Sequence, residues 1–120
     1  PRTRALKGRL QVAGSVLHPM KKLEVVIEGE HVAFVEGLMK DAGMTGYTLV
    51  RDVAGMGHHG PHAGRLTYND LGSYVMLIAV GPPAQIEPIL EGLAPFLGEH
   101  SGVAFVSDVH VMRADYFTSA

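Results

Sequence analysis

The sequence predicts an α+β domain in which two helices cover one face of a four-stranded antiparallel sheet. Three observations favour this class: four short apolar runs have strand patterns, two segments carry apolar residues at helical spacing, and the order along the chain is βαββαβ. The length of 120 residues suits one hydrophobic core and is too short for two ordinary domains.

The first half of the chain predicts a strand, a helix and a second strand. The first strand spans 22–28, because Leu23, Val25 and Ile27 fall on one face. A helix of roughly three turns follows and ends at Gly43, a residue typical of helix C-termini. His31, in its first turn, is expected to be a solvated helix residue. The second strand is predicted over 46–53.

The second half predicts strands over 73–80 and 103–112, with a helix over 81–100 between them. Strand 73–80 is apolar on both faces, whereas two helices can cover only one, so we expect the other face to meet another subunit. Pro88 and Pro95 each remove a helical hydrogen bond, which predicts an irregular helix broken near Pro95. The whole order is that of the ferredoxin-like fold, which hosts many activities.

Composition restricts the function. Residues 1–19 carry four basic residues and no acid and are interpreted as a leader or added arm, and 20–120 as the single domain. That domain has six basic against twelve acidic residues, so no nucleic-acid partner is expected. No apolar run approaches the ~20 residues that span a bilayer, so we expect a cytoplasmic protein without membrane insertion. The absence of cysteine excludes thiolate chemistry.

The segment 54–72 (AGMGHHGPHAGRLTYNDLG) lies between two predicted strands and has no strand or helix pattern of its own. It holds five glycines, three histidines and Arg65. Glycines allow a ligand to approach the backbone, and successive N–H groups can then bind an anion. A loop of this length in a compact domain is usually functional or disordered, and its histidines and arginine favour function.

Several motifs resemble the PII signalling proteins, and together they cover nearly all of 20–120. These are the segment 20–48 with its rhythm Gly43-Met44-Thr45-Gly46-Tyr47-Thr48, the Gly55-Met56-Gly57 that opens the long T-loop, the glycine-containing B-loop at 98–102, and the last strand from Phe105. The resemblance implies a homotrimer that binds adenine nucleotides in clefts between subunits and signals through the T-loop, without enzymatic activity.

The departures from the PII pattern indicate a divergent, PII-like group. Val103 stands where PII proteins have a lysine, His100 replaces a B-loop glycine, and the paired C-terminal arginines are reduced to Arg113. The shorter T-loop lacks the lysine and glutamine associated with 2-oxoglutarate and Mg-ATP. The GMGHHG loop and the short tail are most similar to carboxysome-associated members, which are tied to bicarbonate supply.

This resemblance implies ligands and site residues. ADP or AMP is favoured over ATP, because a triphosphate needs the cations that this chain lacks. Bicarbonate is expected at the loop, and a transporter or carboxysome-related protein is the expected partner. The nucleotide-binding residues are expected to be Thr48, Gly55, Met56, Gly57, His58, Gly102, Val103 and Arg113, and the bicarbonate-binding residues His58, His59, Gly60 and Arg65.

The loop histidines also support an alternative of another class. His58, His59 and His62 form a legitimate ligand set for Zn, Ni or Cu, so a metal sensor or carrier is the second hypothesis. An enzyme ranks third, because no nucleophile–base order and no paired carboxylates occur in the loop.

Overall fold

A computed structural model of the protein describes residues 16–55, 74–113, 115 and 117. The elements in chain order are β1 (His18–Glu28), a 3₁₀ turn (Gly29–His31), α1 (Val32–Asp41), β2 (Thr48–Arg51), β3 (Tyr74–Gly81), α2 (Pro83–Glu99) and β4 (Gly102–Val111). The sheet order is β2-β3-β1-β4, and all neighbouring strands are antiparallel. The predicted ferredoxin-like fold is confirmed.

The core lies between the sheet and the two helices. On β1, Leu23, Val25 and Ile27 are fully buried, and each pairs with a buried residue of β3. The helices close this layer with the apolar faces predicted from helical spacing, through Val35 and Met39 of α1 and Ile86, Ile89 and Leu93 of α2. Gly43, just past α1, has a φ of 84° that favours glycine, as predicted for the helix stop.

Strand β1 begins four residues earlier than predicted. Residues His18 to Met20 pair with β4 alone, because the ladder to β3 starts at Lys21. Within the described residues this stretch has one unpaired edge, and an edge position tolerates Pro19, whose ring removes a backbone donor. Lys21 also donates a hydrogen bond to Asp108, directly opposite on β4, at 2.6 Å. The division between an arm 1–19 and a domain from residue 20 stays a prediction, and β1 reaches two residues into that arm.

Strand β2 is shorter than predicted, with four residues from Thr48 to Arg51. Asp52 adopts a φ of 56°, which ends the extended conformation. Pairing with β3 continues through a single backbone hydrogen bond from Val53 N–H to Tyr74 O at 3.1 Å.

The prediction of a helix broken near Pro95 is wrong, because α2 is one continuous helix of 17 residues. Both internal prolines lie on its exposed side, and so do Ala84 and Glu91, four residues before them. The carbonyl groups that lose a helical partner therefore face solvent and can be hydrated. Burial of Ile86, Ile89 and Leu93 on the opposite side holds the helix to the sheet.

His31 is also not the solvated residue that its sequence position predicted. Its side chain retains 21% of its accessible surface. Its ring packs edge-on against Phe96, with centroids 5.1 Å apart, and against His100, at 4.6 Å. The cause is tertiary: the end of α2 lies over the start of α1, which helical periodicity alone does not reveal.

The outer face of the sheet, on the side away from the helices, carries an apolar row. The strand registers align Val50, Met76, Val26 and Val103 across all four strands. Val50 and Val103 are exposed, and Phe105 on the next row is 55% exposed. Among the described residues, no helix is both long and apolar enough to cross a membrane.

Candidate functional site

A cleft of about 570 Å³ opens beside the first residues of β2. Its walls come from the connection between α1 and β2, from the outer face of β3, from α2 and from the C-terminal tail. The lining residues are Met44, Thr45, Gly46, Tyr47, Thr48, Ile78, Val80, Gln85 and Phe117.

The connection between α1 and β2 is held in place by backbone and side-chain hydrogen bonds. Gly43 N–H donates to Lys40 O at 2.9 Å and Met44 N–H to Met39 O at 3.0 Å, which closes the helix end. The Gln85 side-chain amide donates to Gly43 O at 2.8 Å, so the first turn of α2 fixes this segment from the other side. Thr45 and Thr48 are thereby positioned around one opening.

The cleft combines an apolar wall with polar groups. Ile78 and Val80 alternate with the core residues of β3, so their side chains belong to the outer face. Two threonine hydroxyls, Thr45 and Thr48, stand beside them and can both donate and accept hydrogen bonds. A flat apolar ligand with polar edges, such as a heterocyclic base, fits this chemistry.

Tyr47 lies in the cleft wall and hydrogen-bonds to α1. Its hydroxyl donates to a carboxylate oxygen of Glu36. This hydrogen bond is the main cause of a raised pKa of Tyr47, with smaller contributions from desolvation and from the Glu36 charge. The neutral hydroxyl is therefore the form that suits the closed contact between the connection and α1.

A second candidate region lies at the start of β4. Gly102 has a φ of 152°, and a Cβ added there would lie 2.8 Å from Val26 O and 3.0 Å from a methyl carbon of Ile27. The position therefore requires glycine, as the predicted turn demands. Beside it, Ser101 Oγ and the Tyr74 hydroxyl share a hydrogen bond of 2.7 Å, which ties this turn to the start of β3.

The two regions lie at opposite edges of the sheet. Thr48 is on β2 and Gly102 on β4, and β3 and β1 separate them. Three steps between neighbouring strands correspond to about 14 Å. The structure therefore does not bring Thr48 together with Gly102 and Val103 within one subunit.

The other predicted site residues divide into two groups. Gly55 follows β2 and Arg113 follows β4, both outside regular strands. The remaining predicted nucleotide-binding, bicarbonate-binding and metal-binding residues lie outside the described part of the chain: Met56, Gly57, His58, His59, Gly60, His62 and Arg65.

Thr48 is the one cleft residue that the sequence analysis named as a site residue, and its role in nucleotide binding stays a prediction; the other described cleft residues were not named. Thr45 and Gly46 were inside the motif that carried the resemblance, which is the signal that could have included them. Nothing in the local pattern marked Gln85, because its role depends on a contact with Gly43, 42 positions away.

Fold and cleft together define a small ferredoxin-like domain with a candidate ligand-binding cleft at one edge of its sheet. The family model described as nitrogen regulatory protein P-II matches residues 20–116. The chain therefore belongs to the P-II family and is a PII-like regulatory protein.

Solved structures agree with this membership. CPII, a nitrogen regulatory PII-like protein from Thiomonas intermedia K12, bound to ADP, AMP and bicarbonate, is 44% identical with a TM-score of 0.75 over 84% of this chain and 95% of that chain. Its apo form is 40% identical with a TM-score of 0.65 over 81% and 96% of the two chains.

A PII-like signalling protein from Thermus thermophilus is 22% identical with a TM-score of 0.68, covers 85% of this chain and 98% of that chain, and shows the fold alone. No curated protein matches the sequence.

Proposed function

We propose that the protein is a non-enzymatic PII-like regulator that forms a homotrimer, binds ADP or AMP in clefts between subunits, and senses bicarbonate through loop 54–72. The observation that carries this proposal is the separation of the two candidate regions. Each subunit offers the Thr48 cleft at one sheet edge and the Gly102 turn at the other. A ring of subunits would place the β4 edge of one beside the β2 edge of the next and complete each site.

The apolar outer face supports the trimer. Val50, Val103 and Phe105 retain 37%, 41% and 55% of their accessible surface, and they share one side of the sheet. A contiguous exposed apolar face on a soluble protein usually marks an association surface. In a closed ring, three such faces would bury one another and cover the second face of β3.

The cleft chemistry supports an adenine nucleotide. The base would lie against Ile78 and Val80, while the hydroxyls of Thr45 and Thr48 would form hydrogen bonds with its polar edge. The relative CPII was solved with ADP and AMP, which is the ligand class expected from the motifs of this chain.

The preference for ADP or AMP over ATP follows from the few cations near the phosphate end. Val103 supplies no charge at the start of β4, and Arg113 is the only lysine or arginine after it in the sequence. Each charge-assisted hydrogen bond contributes roughly 1.5–3 kcal/mol. The γ-phosphate would therefore lack the partners that would offset its desolvation.

Bicarbonate is proposed as the second ligand, at the glycine-rich loop with His58, His59, Gly60 and Arg65. CPII was also solved with bicarbonate, and a small anion suits backbone N–H groups together with an arginine. A role in inorganic-carbon metabolism follows, with the loop presented to a transporter or a carboxysome-related protein.

Isothermal titration calorimetry tests the nucleotide and bicarbonate parts together. ADP affinity is measured with and without bicarbonate at matched pH and ionic strength, and AMP and ATP are compared in the same buffer. If both ligands order one loop, bicarbonate tightens ADP binding, and a coupling of about 1–3 kcal/mol corresponds to roughly 5–150-fold. Arg65→Ala should reduce this coupling.

The outcomes separate the parts of the proposal. Equal ADP affinity with and without bicarbonate removes bicarbonate sensing and leaves a nucleotide regulator. ATP binding more tightly than ADP contradicts the argument from missing cations. Absence of any nucleotide binding at millimolar concentration overturns the proposed function.

A further inference from the structure

A cluster of two carboxylates and an imidazole lies where β1 passes into α1, outside the cleft. One ligand atom each from Glu28, Glu30 and His31 lies within 4.8 Å of the other two. The 3₁₀ turn over Gly29–His31 brings the three side chains together, since Glu28 immediately precedes it. The nucleotide cleft uses none of these residues.

The distances from the imidazole nitrogen to the two carboxylates are close to those in a zinc coordination shell. His31 Nε2 is 3.4 Å from a Glu30 oxygen and 3.7 Å from a Glu28 oxygen. Zinc binds imidazole nitrogen and carboxylate oxygen at about 2.0–2.2 Å, so neighbouring donors on a tetrahedron are about 3.3–3.6 Å apart. The two distances from His31 Nε2 therefore fit a shared Zn²⁺ ion, and the two carboxylate oxygens, which also lie within 4.8 Å of each other, could reach it after side-chain adjustment.

The imidazole of His31 is held in a fixed orientation by packing. Phe96 and His100 contact it edge-on, with centroids 5.1 and 4.6 Å away. His100 is itself fixed, because its Nδ1 bonds to Phe96 O at 3.1 Å and its ring stacks on Phe96 at 4.2 Å. A backbone carbonyl can only accept, so Nδ1 of His100 donates this hydrogen bond.

The same three side chains could instead form a simple ion pair with a protonated His31. The ion pair and the metal site differ in the number of carboxylates that each needs. One carboxylate satisfies a protonated imidazole, whereas this turn gathers two around a single Nε2. Two carboxylates with one neutral imidazole form a donor set that suits a divalent cation and leaves an open position.

We propose that Glu28, Glu30 and His31 form a Zn²⁺ site, separate from the nucleotide cleft and from the histidines of loop 54–72. Glu30 is the most exposed of the three side chains at 73%, which gives the ion an entry path. The ion would join the end of β1 to the start of α1.

The test uses the full chain, free of nucleotide and treated with a chelator. His58, His59 and His62 are all replaced by asparagine in every sample, so that the loop cannot contribute imidazole ligands. Zn²⁺ is titrated calorimetrically, and the side-chain nitrogens of the remaining histidines are followed by NMR. We expect one Zn²⁺ per chain and a change at His31 Nε2.

Two substitutions with matched controls assign the ligands. His31→Gln and Glu30→Gln should each weaken Zn²⁺ binding by about tenfold or more, since even residues that only support a metal ligand typically contribute about 10–100-fold. His110→Gln on β4 and Glu87→Gln on α2 make the same chemical changes at exposed positions, and both should leave the affinity within about twofold. Glu30→Gln alters an exposed side chain and should not affect folding.

Three results would overturn the site: no Zn²⁺ binding in the chain that lacks the loop histidines, unchanged affinity in both ligand variants, or displacement of Zn²⁺ by equimolar Mg²⁺. The last result would show a diffuse acidic patch, because Mg²⁺ does not favour imidazole.

Discussion

Tyr47, in the wall of the cleft, keeps its hydroxyl proton to a higher pH than an ordinary tyrosine does. Its hydroxyl donates to Glu36, and the pKa of Tyr47 is raised above its ordinary value mainly by this hydrogen bond. Because the folded-state pKa is the higher one, the stabilisation is present below the ordinary tyrosine pKa and is lost as pH rises through the raised value. The contact is exposed, so we expect a small effect on stability.

Glu36→Gln should move the pKa of Tyr47 back toward its ordinary value, since the carboxylate is the main cause of the shift. Ultraviolet absorbance of tyrosinate during alkaline titration measures this change, and Tyr47→Phe identifies the contribution of Tyr47 among the four tyrosines. Titration curves that coincide for the original chain and Glu36→Gln would contradict the assignment.

Thr48 offers a direct test of base recognition. Thr48→Val keeps the shape of the side chain and removes the hydroxyl, so ADP affinity should fall by about 1 kcal/mol, roughly fivefold. Thr48→Ser, which keeps the hydroxyl and removes only the methyl group, is the matched control and should bind ADP with nearly the original affinity. Calorimetry that finds equal ADP affinity in Thr48→Val would exclude this hydroxyl from the site.

The site could be predicted only where its residues lie in one local motif. Thr48 belongs to the glycine–threonine rhythm that carried the family resemblance, and the structure places it in the cleft. Ile78, Val80 and Gln85 come from other elements, and only tertiary packing brings them to the same opening. His31 shows the same limit, because its contacts with Phe96 and His100 depend on how α2 crosses α1.

At the scale of elements, alternation and helical spacing predicted all four strands and both helices, and the errors lie at strand boundaries and at the predicted break in α2. Strand β2 ends early because Asp52 adopts a positive φ, and β1 starts early because β4 pairs with it as far as His18. The pairing of His18 with β4 is not local to β1, whereas Asp52 lies within the predicted strand 46–53 and its positive φ is not visible in the alternation pattern. The continuity of α2 depended on which side its prolines face.

The prolines of α2 provide a prediction about stability. Pro88→Ala or Pro95→Ala restores a backbone donor at an exposed helical position. The gain in helix energy exceeds the loss of chain stiffness in the unfolded state, so we expect each to stabilise the fold by about 1–2 kcal/mol.

Pro83→Ala is the matched control, because Pro83 occupies the first turn, where proline is tolerated. Urea unfolding at one protein concentration should show no gain for it. Equal changes in all three variants would mean that the internal prolines cost the helix nothing.

At the scale of the whole molecule, one face of the sheet is covered by the helices, and the other face has no partner in the described chain. The unpartnered face carries the row Val50, Met76, Val26 and Val103. The two edges of the same sheet carry the two candidate regions. Assembly and ligand binding are therefore expected to depend on each other, because the association that buries the face would also complete the cleft.

Phe105→Lys tests this dependence without changing any residue that lines the cleft within one subunit. Phe105 is 55% exposed on the outer face, and directly opposite it on β1 stands Glu24, which can pair with the new lysine. The single subunit should therefore remain folded, whereas the trimer would have to bury three cations. We expect light scattering to show a trimer for the original chain and a monomer for the variant, with ADP affinity reduced at least about tenfold.

Ala94→Lys adds the same charge on the exposed side of α2 and should preserve both properties. A monomeric Phe105→Lys that binds ADP as tightly as the original chain would show that one subunit holds a complete site, and the inter-subunit cleft would have to be abandoned.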